Sequence, residues 1–160
     1  MWSVILPIMR TFPVLVLSAP LLIGLPSHAD ALDDWSKVML ESIREESIGP
    51  NLAVRNFAIL HGASFDALNA IDRKFKPYHF AEPFGSADAV PEAMVAGSCH
   101  TIASNLHPSR KGSFDKLAKP FLSQAPDSPA GRSFAFGVRV GRSFLKLRAS
   151  DGSSTKITYR

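Results

Sequence analysis

Apolar residues recur at spacings of three and four along most of this chain, and two-residue alternation is rare. That is the period of helices, not of strands. Five helices are predicted. The first covers Leu32 to Glu46, with Asp33 and Asp34 in its opening turn, where negative charge suits the helix dipole. Its apolar stripe is Trp35, Val38, Met39 and Ile43 (or Leu40), and Gly49-Pro50 stops it. The second runs from Pro50 to Phe75. Phe57, Leu60, His61, Ser64, Leu68 and Ile71 share one face, and Arg55, Ile59, Gly62 and Asp66 share another. A loop bearing Pro83 and Gly85 then runs from Pro77 to about Val90. Pro91 opens a third helix that closes at Leu106-His107-Pro108, and its small residues Ala93, Ala96, Gly97, Ser98 and Ala103 would let a neighbouring helix approach closely. The fourth runs from Ser113, a candidate cap, to Ser123. Phe114, Leu117 and Phe121 (or Ala118 and Leu122) face inward, and Pro120 should bend or shorten it.

The fifth helix spans Ser128 to Ala149. At ~100° per residue, Arg132, Arg139, Arg142 and Lys146 fall in one arc. Phe134, Val138, Gly141 and Leu145 fall in a second, and Phe136, Val140, Phe144 and Leu147 in a third. Such a helix is buried on two sides with one basic edge at solvent. Gly137 and Gly141 suit close packing better than phosphate binding, because no Gly-Lys-Ser/Thr follows them.

The first 29 residues stand apart. Arg10 is the only charge before Asp30, Phe12 to Leu25 is apolar, and Ser27-His28-Ala29 and Ala29-Asp30-Ala31 offer small-x-small sites. These are the parts of a secretory signal cleaved near Ala29 or Ala31, and they predict a secreted or periplasmic protein. The competing reading is a membrane anchor, but Pro13, Pro20 and Pro26 interrupt the run. The predicted organisation is therefore a signal at 1–29, a helical domain at 30–152 and a disordered tail at 153–160.

Composition narrows the function. The chain has 160 residues, 46% hydrophobic and 20% charged, with net charge +4; it is too apolar for a disordered protein. The charge is too small and too dispersed to argue for nucleic acid. The basic stripe of the fifth helix reads first as a solvated edge and second as a source of positive potential for an anion. A single cysteine, Cys99, rules out an internal disulfide and reads as a small buried hydrophobe rather than a nucleophile. His61 reads as a buried structural histidine, and it projects about 140° from Asp66 on a helix, so the two cannot easily share a ligand. His100 diverges from Cys99 on a helix. His107, at a helix end, can favour the last carbonyls. His79 lies in the loop. Glu41, Glu45 and Glu46 read as a solvated face, and no Gly-x-Ser-x-Gly elbow occurs. No residue is assigned a catalytic, cofactor-binding or metal-binding role.

The stretch from Pro50 to Ile71, with Arg55, Leu60-His61, Asp66-Ala67 and Asn69-Ala70, followed by Lys76-Pro77-Tyr78, resembles bacterial proteins related to vanadium-dependent haloperoxidases and type 2 phosphatidic acid phosphatases. His100, Leu106 and Pro108, and then Gly137, Gly141, Leu145, Arg148, Asp151 and Gly152, fit two later helices of that pattern. The resemblance implies an all-α bundle and, for a full-length relative, vanadate-dependent halide oxidation or phosphate ester hydrolysis. It also implies anion-binding motifs further on: Arg-Pro, Pro-Ser-Gly-His, and Ser-Arg with a later histidine. Here Arg-Pro and Pro-Ser-Gly-His do not occur, and no histidine follows His107 although Ser109-Arg110 is present.

The expectation is thus an incomplete portion of a haloperoxidase-like bundle, without activity alone and without vanadate or another cofactor in this chain. The alternative is a non-catalytic periplasmic binding or scaffold protein. The expected partner is a C-terminal half-chain or a second copy, with no nucleic acid, and a membrane only if the N-terminal segment stays uncleaved. A missing half should leave Phe136, Val140, Phe144 and Leu147 as an exposed apolar patch.

Overall fold

Helices α1 (His28–Glu45), α2 (Pro50–Asp72), α3 (Pro91–Leu106), α4 (Lys111–Leu122) and α5 (Pro129–Leu147) make up the architecture in a computed structural model that describes residues 28–155. A 3₁₀ turn, Pro108–Arg110, leads into α4. No strand occurs among the described residues, so the protein is an all-α bundle. The predicted signal segment falls almost wholly outside the described residues. Helix α1 starts four residues before the predicted Leu32, so Ala29 and Ala31 lie in its opening turns.

Proline sets three of the starts. Pro50, Pro91 and Pro129 each stand at the first helical position, where the missing N–H costs nothing. The Ser128 hydroxyl accepts from the Gly131 N–H at 3.0 Å and caps α5. Helix α2 ends at Asp72 rather than Phe75, because Arg73 turns into the left-handed region at φ 52°. Ser113 is not the cap of α4. That helix starts two residues earlier, from the 3₁₀ turn, and it continues through Pro120 to Leu122.

Side-chain contacts fix the directions. Ser64 meets Cys99 at 3.1 Å and Asn56 meets His107 at 3.1 Å, so α2 and α3 run antiparallel. Ser133 accepts from the Val90 N–H, and Gly141 lies against Ser98, so α3 and α5 run parallel. Buried residues from every helix meet in one core, including Trp35, Met39, Leu60, Met94, Ile102, Phe114, Val140 and Phe144. Trp35 stacks on Phe114 with ring centroids 6.4 Å apart.

The tightest join is between α3 and α5. A Cβ on Gly97 would stand 2.1 Å from the Phe134 carbonyl oxygen, and one on Gly137 would stand 2.1 Å from that of Met94. No residue but glycine fits where two backbones touch. The small residues read from the sequence as a close-packing surface are used in this way.

Phe136, Val140 and Phe144 are buried, at 4%, 0% and 1% exposure, while Leu147 is 41% exposed. The exposed patch expected of a missing half is therefore not present. The loop supplies the cover: Phe80 and Phe84 pack edge-on to Phe136, and Tyr78 and His79 lie on Phe144. That loop is held by Asp66, which is buried. Its carboxylate accepts the backbone N–H groups of Tyr78, His79 and Phe80, each at 2.7 Å. A carboxylate that receives three N–H donors is a strong local latch.

Candidate functional site

The most elaborate polar cluster in the described residues is built around His107. Its ring is fully buried where α1, α2 and α3 meet. Nδ1 lies 2.5 Å from Glu46 Oε2 and Nε2 lies 3.1 Å from Asn56 Nδ2. These contacts assign the ring proton to Nδ1, which donates to the carboxylate, while Nε2 accepts from the amide. The Ser109 hydroxyl donates to the other Glu46 oxygen. That hydroxyl first, and then the imidazole, hold the Glu46 carboxyl below its ordinary value of 4.5, against the opposing effect of partial burial. Two sequence expectations change here. Glu46 is not part of a solvated face, and His107 gives its ring nitrogens to side chains rather than to helix carbonyls. Both partners lie far off in sequence, so no local pattern announced them.

Serine, histidine and carboxylate together suggest nucleophilic catalysis, but the connectivity is wrong for it. Ser109 bonds the carboxylate and not the imidazole, and the Nε2 that should receive a nucleophile's proton faces Asn56 in the interior. The cluster is a clasp that closes the end of the bundle.

Two further Ser–His pairs lie nearer the surface. Ser143 Oγ is 2.9 Å from His79 Nε2, and Ser36 Oγ is 3.1 Å from His61 Nε2. Neither ring shows a carboxylate orienting its other nitrogen. Asp66 bonds the His79 backbone instead, and both serines stand within helices. His61 is exposed, contrary to its expected burial, because the core face of α2 runs through Asn56, Ile59, Leu60, Ala63, Ala67 and Ala70. His100 pairs with Asp115 at 2.7 Å, and Lys111 and then this ring hold the Asp115 carboxyl below its usual range.

Cys99 is fully buried, and burial pushes its thiol up to about 12. A thiol so protonated is a poor nucleophile. The basic edge of α5 is at solvent, as read from the sequence, but two of its four cations already hold carboxylates: Arg132 pairs with Asp88 at 2.5 Å and Arg139 with Glu82 at 3.4 Å. Among the described residues no three of His, Cys, Asp or Glu gather where they could hold a metal ion.

The residues that carry the family resemblance have structural tasks as well. Asn69 accepts from the Phe75 N–H at 2.9 Å and donates to the Phe75 carbonyl at 2.8 Å. Arg55 donates to Asp151 at 2.8 Å and to the Arg148 carbonyl at 3.0 Å, while Arg148 donates to the Tyr78 hydroxyl at 2.8 Å. Arg55, in turn, holds the Asp151 carboxyl well below the usual range.

Two grooves are open among the described residues: one of about 420 Å³ at the end of α2, walled by Phe65, Leu68, Ile71, Phe75 and Pro91 with Asn69, Asp72 and Lys74 at its edge, and one of about 620 Å³ along α5 between Phe84, Phe134, Val138, Arg139 and Arg142. Phe65 and Phe75 are 40% and 65% exposed, with ring centroids 6.1 Å apart. The sequence placed Phe75 within the second helix and gave no sign of the first groove, because α2 ends at Asp72 and leaves Phe75 beyond it. No protein-family model, curated protein or solved structure matches this chain.

Proposed function

We propose that this chain is a non-catalytic helical scaffold module, exported by its N-terminal segment and haloperoxidase-like in its helical pattern. One observation carries the reading. Asp66, Asn69, Arg55, Arg148, Asp151, Gly137 and Gly141, which supply the resemblance, are all engaged in holding loop, tail and helices together. None points into a shared cleft with a nucleophile or an acid–base pair. Function then follows from shape, in that a core with covered sides presents surfaces to a partner. Phe136, Val140 and Phe144 of α5 are buried, so this reading does not need a second copy to cover them.

The test is direct. Purified chain is supplied with orthovanadate, hydrogen peroxide and bromide, and separately with p-nitrophenyl phosphate. Neither bromination nor phosphate release above buffer is expected, while circular dichroism shows a cooperative helical melt. Turnover in either assay that is lost in Ser143→Ala or Ser36→Ala would overturn the proposal, because those serines form the two near-surface Ser–His pairs.

A further inference from the structure

The basic edge of α5 has two flanks, and the loop before α3 covers one of them. There the loop brings Glu82 to Arg139 at 3.4 Å and Asp88 to Arg132 at 2.5 Å. Phe84, between those carboxylates in sequence, stands edge-on to Phe136 with ring centroids 5.2 Å apart. Arg139 also lies over the Phe136 ring, 5.1 Å from its centroid. The chain thus shows, in its own loop, what this edge receives: an acidic segment with an aromatic side chain among its carboxylates.

The other flank repeats that chemistry without the segment. Phe134, Val138 and Arg142 recur at intervals of four, each about 40° on from the last at ~100° per residue. Two apolar side chains therefore lead to a guanidinium along one side of the helix. Phe134 and Val138 are half-buried and Arg142 is exposed. No carboxylate among the described residues pairs with Arg142, in contrast to Arg132 and Arg139. The three residues wall the groove of about 620 Å³, which Arg139 also lines. Residues three apart on a helix are neighbours, so Arg139 and Arg142 can meet the same incoming segment. The Arg139–Glu82 pair is solvent-facing, and such pairs exchange partners cheaply.

We propose that this flank docks an acidic peptide segment of a partner protein, in which carboxylates alternate with aromatic or aliphatic side chains. The apolar side chains rest on Phe134 and Val138, and the carboxylates reach Arg142 and Arg139. Arginine suits the task, because its planar fork matches a carboxylate and sheds water more readily than an ammonium. A bilayer surface is the competing anion, but its face cannot enter a concave floor set below the guanidinium groups, whereas a peptide side chain can. The inference names a partner for the scaffold reading and rests on it. Turnover would undo that reading, while binding alone decides this one.

Fluorescein-labelled hexapeptides that alternate Glu with Phe, Leu or Val are titrated with the purified 160-residue chain and followed by fluorescence anisotropy. Saturable binding is expected, weakened about tenfold by Arg142→Glu. Peptides with Gln in place of every Glu, or Ser in place of every apolar residue, should not bind. Lys116→Glu changes the net charge equally at an exposed position on α4, and it should leave the affinity within about twofold. Both variants should keep the parent's circular dichroism, since both side chains are at the surface. Binding by none of the peptides, equal loss in the two variants, or binding of the Gln or Ser peptides would each overturn the proposal. So would phosphatidylglycerol vesicles that displace the peptide and sediment the parent but not Arg142→Glu, which would make this flank a lipid site.

Discussion

At the α3–α5 seam two backbones meet through Gly97, Gly137 and Gly141. At the far end of α2 the large rings of Phe65 and Phe75 stand open to solvent. The seam has almost no side chain, and the groove is almost all side chain. Sequence patterns treat these regions oppositely. The small residues were read as a surface for close packing and are used so, whereas Phe65 and Phe75, aromatics of the kind that usually fill a core, are left exposed. What decides is whether a neighbouring element arrives. Helix α5 comes down onto Gly97, whereas nothing among the described residues covers Phe75.

The largest expected effect breaks the seam. Gly97→Ala or Gly137→Ala places a methyl 2.1 Å from a backbone carbonyl oxygen that cannot swing aside. The helices must separate, at a cost of about 3 kcal/mol or more, measured by denaturant unfolding. Next is the loop latch. Asp66→Ala leaves three N–H groups without their acceptor and should cost about 3 kcal/mol, with Phe136 and Phe144 partly uncovered and an apolar dye newly bound.

The clasp contributes a pH dependence. Glu46 is held below its ordinary 4.5 in the folded chain, so the unfolded chain takes up the proton first. The stability it supplies is complete above about 4.5 and is lost as the pH falls through the lower folded value. Melting temperature should fall with acid over that window, and Glu46→Gln should be less stable than the parent near neutrality while showing a shallower acid decline. Smallest of all is Phe75→Ala in the chain from residue 28 onward. The ring is mostly exposed, so the cost should stay within about 0.5 kcal/mol.

Much of the fold was legible along the chain. Pro91 and Leu106 bound α3 as read, α5 starts at Pro129, one residue past the Ser128 read as its start, and the small residues of α3 together with Gly137 announced a close crossing. The misreadings share a cause. His61 lay on a stripe that looked apolar, but the stripe that α2 buries is centred on alanines, whose size gave no signal. Glu46 and His107 are joined across the turns between helices, and Asp66 is joined to a loop twelve residues on, which only the folded chain brings together. Arg73 ended α2 early because a residue other than glycine took the left-handed cap. The candidate groove was least visible, since exposure of Phe65 and Phe75 depends on what is not packed against them.

The most direct measurement compares two glycines. Gly137→Ala and Gly112→Ala are made separately and melted by circular dichroism. A Cβ at Gly112, in α4, would meet nothing within 4 Å, so that variant should gain slightly, by about 0.5–1 kcal/mol from helix propensity. Gly137→Ala should lose most of its cooperative transition. If both variants melt like the parent, the α3–α5 seam is not as close as described here and the account of how this bundle is held together fails.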